Sequence, residues 1–279
     1  MKTKWILVVA LVLSLNSYAQ KEFEVSISGK GQPVLLFPGF ACTGQEYLDL
    51  VGELPKNHKV YNFTFAGFGN VPPIEKPWLP KIKKAIEHFV EKQNLKKPVI
   101  IGHSMGGTLG LWLAADNPEL FSKLIIIDAL PAMGAVMIPD YDSENISYNT
   151  PYNQNILAMD DADFRRMVEK LASTMTQNIE KQQQLTDWMV MADRETYVYG
   201  YTDLLKLDLR SALSKIKIPV TILVATEPYG QKIVENNYRK QYQNLGDYSL
   251  DFAEGSRHFI MYDKPNWFLS QIKSALQEK

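Results

Sequence analysis

Residues 98–108 read PVIIGHSMGGT, an apolar run broken at Gly102-His103-Ser104-Met105-Gly106. A G-x-S-x-G pentad between a strand-like run and a helix-like stretch is the sequence form of a nucleophile elbow. Its sharp turn lifts the serine hydroxyl to the top of a sheet, and the flanking glycines leave room for the backbone to cross. Ser104 is therefore a candidate nucleophile for attack on a carbonyl. A serine hydroxyl reacts poorly at neutral pH unless a base within about 3 Å takes its proton. The rest of the chain must then supply that base, a carboxylate behind it and donors for the oxyanion.

Four histidines are available. His88 lies inside a helix-like stretch and His58 in a polar turn, which suits solvated or structural roles. His103 belongs to the elbow but points away from its neighbour's hydroxyl, as a packing or hydrogen-bonding residue does. His258 stands in the loop Glu254-Gly255-Ser256-Arg257-His258-Phe259 after the last strand-like run. An open parallel sheet gathers the loops at its strands' carboxyl ends over one crevice, so His258 is the expected base. Arg257 beside it suits a salt bridge or solvent better than an anionic substrate group.

Two carboxylates follow strand-like runs and compete to orient the imidazole: Glu227 in Ala225-Thr226-Glu227-Pro228, and Asp128 after residues 124–127. Asp203 and Asp208 fall in or beside a helical region and are weaker choices. For the oxyanion, Met105 N–H opens the elbow helix, and the turn Phe37-Pro38-Gly39-Phe40 offers a second donor, Phe40 N–H.

These groups need a scaffold. Residues 33–37, 59–65, 98–101, 123–127 and 220–225 are short apolar runs separated by loops or helix-length segments, and with a further strand expected near 247–252 they give the pattern of a mainly parallel sheet covered on both faces. Trp78, Ile82, Ile86, Phe89 and Val90 recur at helical spacing. Further helices are expected over 104–118, 230–242 and 265–276. Residues 133–210 carry no strand-like run and read as helices over about 160–171, 174–190 and 194–206. The expected organisation is a signal peptide over 1–19, a core over 21–131, a helical lid over 132–212 and the rest of the core over 213–279. Met133, Met137, Met159, Met167, Met175, Met189 and Met191 give the lid unbranched thioethers able to fill irregular space.

Lys2 and Lys4 precede the apolar run 5–15, and Ser17-Tyr18-Ala19 offers small residues at the positions a signal peptidase reads. Export to the periplasm or medium, with cleavage after Ala19, is the expectation; the run is too short to span a bilayer comfortably, and no other stretch is long enough. The formal charge of −1 becomes −3 once Lys2 and Lys4 are removed, which argues against nucleic acid as a partner. Cys42, the single cysteine, excludes an internal disulfide. Neither a G-x-G-x-x-G nor a Walker pattern occurs, and the histidines lack a compact metal-binding spacing, so no cofactor or metal is expected.

Phe37-Pro38-Gly39-Phe40, Gly102-His103-Ser104-Met105-Gly106-Gly107 and Arg257-His258-Phe259 together make residues 30–277 resemble an alpha/beta-hydrolase of the small, lidded serine carboxylesterase type. The resemblance implies a three-layer α/β fold with a mainly parallel, eight-stranded-type sheet, a nucleophile at Ser104, a base at His258 and a small-molecule ester as partner. In that family the acid usually follows the seventh strand, and a common spacing lands on Pro228, adjacent to Glu227. Some lidded relatives place the acid after the sixth strand, where Asp128 stands. Many relatives carry His-Gly where this chain has Pro38-Gly39, which keeps the backbone donor and removes a bracing side chain. Ser104 argues against epoxide hydrolases and dehalogenases, which use aspartate at the elbow. Hydrolysis of an amide or peptide, or noncatalytic ligand binding, are the alternatives that the same residues permit.

Overall fold

The computed structural model describes residues 16–277. Eight strands form one sheet: β1 (Asn16–Gln20), β2 (Phe23–Gly29), β3 (Gln32–Phe37), β4 (His58–Phe65), β5 (Val99–His103), β6 (Lys123–Ile127), β7 (Val220–Ala225) and β8 (Tyr248–Ala253). Their spatial order is β1-β2-β4-β3-β5-β6-β7-β8. The β1–β2 and β2–β4 pairs are antiparallel, and every pair from β4 through β3 to β8 is parallel. β5, β6 and β7 sit in the middle and are buried along their whole length, which is why they read as continuous apolar runs rather than alternating ones.

Eleven α-helices accompany the sheet among the described residues: α1 (Leu48–Glu53), α2 (Trp78–Lys92), α3 (Met105–Asp116), α4 (Gly134–Met137), α5 (Pro151–Ala158), α6 (Asp161–Met175), α7 (Ile179–Met191), α8 (Arg194–Lys206), α9 (Gln231–Gln241), α10 (Ile260–Asp263) and α11 (Pro265–Gln277). α2 buries Trp78, Ile82, Ile86, Phe89 and Val90 on one face. The elbow helix α3 is different: it is apolar almost all round, because it lies between the sheet and other elements and has little solvent face.

The stretch between β6 and β7 holds α4 to α8 and no strand. It is tied to the core by a cap that spans the chain: Asp203 of α8 accepts from Trp78 N–H at 2.5 Å and Leu79 N–H at 3.0 Å. Two of the orphan donors at the start of α2 are thus satisfied by the insertion. Asp208, the other weak candidate for the triad, pairs instead with Arg210 at 2.5 Å.

The N-terminal end adds something the sequence pattern did not announce. β2 escaped the reading because its polar residues alternate with apolar ones at the sheet's antiparallel edge, with only Phe23 and Val25 fully buried. β1 pairs with it and straddles the expected cleavage point, so a cut after Ala19 leaves only Gln20 of that strand. The apolar run 5–15 lies outside the described residues. No helix among the described residues is long and apolar enough to cross a membrane.

Candidate active site

The elbow joins β5 to α3 with Ser104 at φ 50° and ψ −121°, a conformation that a side-chain-bearing residue adopts only when its surroundings impose it. The imposition is steric. A Cβ at Gly102 would lie 2.4 Å from the Gly106 carbonyl oxygen, and one at Gly106 would lie 2.2 Å from that of Phe37. Strand, turn and helix therefore cross at backbone contact, and Ser104 N–H is held by the Ile127 carbonyl at 2.9 Å.

His258 and Asp128 meet across the tops of β8 and β6. His258 Nδ1 lies 2.6 Å from Asp128 Oδ2. A carboxylate can only accept here, so Nδ1 carries the proton and Nε2 is left with a free lone pair. Asp128 Oδ1 accepts from Tyr238 O–H at 2.8 Å and Ala225 N–H at 3.1 Å. Burial alone would raise the Asp128 carboxyl, but the His258 hydrogen bond and charge, Ala225 N–H and Tyr238 O–H outweigh it and hold the group below the ordinary carboxylate range. Asp128 itself stands at φ 42°, the turn that aims its side chain away from the strand direction.

Glu227, the competing carboxylate, is exposed; its N–H donates to Ser256 O at 2.9 Å. It borders an open groove on the far side of His258. Of the two alternatives, the geometry joins Asp128 to the imidazole and leaves Glu227 apart. The reason is local: Tyr238 and Ala225 N–H draw the Asp128 carboxylate inward, whereas no described side chain draws Glu227 there.

The two expected oxyanion donors lie in the turn after β3 and at the start of α3. Met105 is the first residue of α3, so its N–H lies outside the intrahelical ladder. Phe40 follows Gly39 in the turn after β3, and Gly39, Phe40, Ser104 and His258 border one cavity of about 240 Å³.

Behind this turn lies a pair that sequence reasoning missed. Glu46, with a side chain 0% exposed, accepts from Gly39 N–H through Oε2 at 3.0 Å. Its Oε1 lies 3.0 Å from Nδ1 of the equally buried His103, close but out of line for a good hydrogen bond, and neither atom has another partner. The His103 ring then donates from Nε2 to the His258 carbonyl at 3.1 Å. One buried pair thus joins the turn after β3, the elbow and the His258 loop. Glu46 sits in a short turn (Gly44–Tyr47) between exposed Gln45 and buried Tyr47, with no local signal that sets it apart from a solvated carboxylate.

The remaining candidates fall away. Cys42 also borders the cavity, but burial and then the neighbouring Glu46 carboxylate push its thiol up, so it stays protonated and unreactive. His58 is buried against Pro55 O at 3.3 Å, and His88 is exposed on α2. The Arg257 guanidinium donates to Ser173 O at 2.7 Å and Thr176 O at 3.2 Å, fastening the His258 loop to the end of α6. Among the described residues no group of histidine, cysteine and acidic side chains has the spacing to hold a metal.

A serine on a strained strand-to-helix turn, facing a cavity shared with a carboxylate-bound histidine at the carboxyl ends of a parallel sheet, defines the hydrolase class of α/β proteins. The chain belongs to the alpha/beta hydrolase fold family, whose model matches residues 32–226. It is 31% identical over 149 residues to ethanol acetyltransferase 1 of Hanseniaspora uvarum, covering 53% of this chain and 45% of that protein. It is 22% identical over 257 residues to a pimeloyl-acyl-carrier-protein methyl ester esterase of Vibrio cholerae, covering 88% and 94%. The chain spans less than half the length of the first curated relatives it matches. In structure it resembles the enol-lactonase from Burkholderia xenovorans LB400 with a TM-score of 0.78 and 15% identity, covering 94% of this chain and 100% of that one.

Proposed function

We propose that this protein is a serine hydrolase that cleaves a carboxylic ester of small or medium size through an acyl-enzyme. The observation that carries the reading is the 2.6 Å His258–Asp128 contact beside a cavity that Ser104 also borders. Ser104 Oγ attacks the ester carbonyl while His258 Nε2 takes its proton. Asp128 stabilises the imidazolium as its charge develops. Phe40 N–H and Met105 N–H receive the oxyanion, and as main-chain donors they cost no reorganisation when charge appears. Collapse of the tetrahedral intermediate expels the alcohol, protonated by His258, and leaves the acyl group on Ser104. Water, deprotonated by the same nitrogen, then releases the acid.

Esterase names among the relatives support the ester over the amide, as does the neutral wall of the cavity, which has no carboxylate or ammonium to meet a peptide's charged groups. The insertion between β6 and β7 is proposed to act as the lid of this cavity. Export is proposed on the N-terminal pattern of two lysines, the apolar run 5–15 and Ser17-Tyr18-Ala19. Sequencing the amino terminus of protein recovered from outside the cytoplasm tests it; an intact Met1 there overturns cleavage.

The deciding experiment is fluorophosphonate labelling followed by mass spectrometry of wild type, S104A and H258A, with turnover of p-nitrophenyl acetate, hexanoate and the matching anilides. A single adduct on Ser104 that slows without His258, with esters turned over faster than anilides, is the expected result. Folded protein that neither labels nor turns over any substrate overturns the reading in favour of a ligand-binding role.

A further inference from the structure

The cavity above Ser104 is lined by no Asp, Glu, Lys or Arg among the described residues, and away from the catalytic candidates most of the wall that the insertion supplies is aliphatic or thioether. The exception lies on one side. α8 presents Tyr197 and Tyr201, four residues apart and hence on one face, and α5 contributes Tyr152 nearby. Both α8 rings rest against Phe40, at centroid distances of 5.7 and 5.4 Å, so this polar strip begins beside the oxyanion turn.

Neither α8 phenol donates to a protein oxygen among the described residues. Tyr201 O–H faces Met137 Sδ at 3.1 Å, and Tyr197 O–H faces Met189 Sδ at 4.0 Å. A thioether sulfur is a weak acceptor. Elsewhere the same molecule treats its phenols differently: Tyr47, Tyr141, Tyr238 and Tyr242 donate to oxygens at 2.8 to 3.1 Å, and Tyr148 donates to Asp203. Tyr262 is also buried without a partner, but it lies outside the cavity. Burial, and after it the Tyr152 phenol, pushes Tyr201 up to about 12 and raises Tyr197 as well, so both remain neutral donors. A wall of neutral donors in an uncharged enclosure suits an uncharged acceptor, since a carboxylate would be desolvated there without a countercharge.

The half of the ester that meets this wall follows from His258, which borders both this cavity and the more open groove that runs past Glu227. His258 protonates the departing alcohol, so the alcohol half has an open way out along the groove, and the acyl half occupies the enclosure. We propose that Tyr197 and Tyr201 form a recognition subsite, and that the preferred substrates are esters whose otherwise apolar acyl chain carries a second, uncharged acceptor oxygen, as a ketone, ether or hydroxyl. This rests on the serine-esterase reading above.

The test pairs p-nitrophenyl hexanoate with p-nitrophenyl 5-oxohexanoate and p-nitrophenyl 4-methoxybutanoate. Wild type is expected to favour one or both oxygenated esters in kcat/KM by about 3- to 10-fold, the worth of one net hydrogen bond. Y197F and Y201F, which keep the ring and lose the donor, bring that ratio toward one. Calorimetry of folded S104A with ethyl 5-oxohexanoate, ethyl 4-methoxybutanoate and ethyl hexanoate reads the subsite without turnover and is expected to show the same preference. Equal or tighter binding of the plain hexanoate, or ratios unchanged in both phenylalanine variants, overturns the subsite. Absence of labelling and of turnover with every ester overturns the esterase reading instead, and the calorimetric preference still decides the subsite.

Discussion

The two sides of the cavity are built on opposite principles. On the sheet side, His258, Asp128, His103 and Glu46 are tied by directional polar contacts between buried or half-buried groups, Ser104 is anchored through its N–H to Ile127 O, and the backbone stands in positive-φ turns at both Ser104 and Asp128. On the insertion side, the wall is mainly apolar, Met133, Met137, Met175 and Met189 with Ile156 and Leu185, and its phenols Tyr197 and Tyr201 meet sulfur rather than oxygen. Of the other methionines in the insertion, Met159 and Met167 pack against the core, and Met191 is 60% exposed. Chemistry demands sub-ångström placement, which hydrogen bonds and steric crossings supply. Recognition of an apolar ligand demands volume and adaptability, which unbranched thioethers supply.

Predictions that break or sharpen this contrast descend in size. S104A should lower kcat by at least about 10⁴-fold while thermal unfolding stays cooperative, since removing a nucleophile abolishes the acyl route without opening the core. Steady-state kinetics on p-nitrophenyl acetate, with a melting curve, checks both halves. The next effect separates the two carboxylates: D128N should cost about 10³- to 10⁴-fold in kcat by releasing the imidazole from its tautomer, and E227Q should stay within about twofold. Equal losses in the two variants would return Glu227 to the triad.

A third test addresses the buried pair behind the turn. E46Q and H103Q are expected to lower kcat by about 10- to 100-fold with KM nearly unchanged, because they shift donors and base rather than the acyl wall. A rise in KM with kcat intact would place the pair on the recognition side. In contrast, M133L and M175L should alter KM for hexanoate severalfold in either direction and leave acetate turnover close to wild type, as volume-conserving changes in a pliable wall do.

The smallest effect concerns Tyr238. Because the folded Asp128 carboxyl is held below its unfolded value, its contribution to stability is present above that unfolded value, about 3.9, and is lost as pH falls through the folded one. Y238F removes one of the groups that lower it, so the variant should lose less stability on acidification and complete that loss at higher pH. Melting temperatures of wild type and variant between pH 3 and 6 check the sign; a Y238F curve displaced to lower pH contradicts the account.

Much of the core was legible because its signals are local. The elbow pentad needs two glycines at fixed spacing for a backbone crossing, and α2, α3, α9 and α11 follow from helical periodicity and the strand runs between them. The insertion was legible as a region lacking strands, with α6, α7 and α8 near their expected places, but α4 and α5 are short and their turns carry mixed composition. β2 was missed for the opposite reason, since an antiparallel edge buries one face only and its pattern is weak, and β1 falls on the segment read as the cleavage site.

What the sequence by itself determined, then, is whatever depends on neighbours along the chain: a serine at a forced turn, a histidine after the last strand, a parallel sheet, and a helical stretch between its parts. The tertiary structure decided which carboxylate reaches the imidazole. Asp128 and Glu227 both follow strands of the sheet, and only the positions of Tyr238, Ala225 N–H and His258, brought from distant parts of the chain, favour the first. Glu46 beneath Gly39, Asp203 capping α2 and the phenols facing sulfur are likewise long-range facts. A buried polar group is satisfied by whatever the fold places against it, and that partner leaves no mark at the group's own position in the chain.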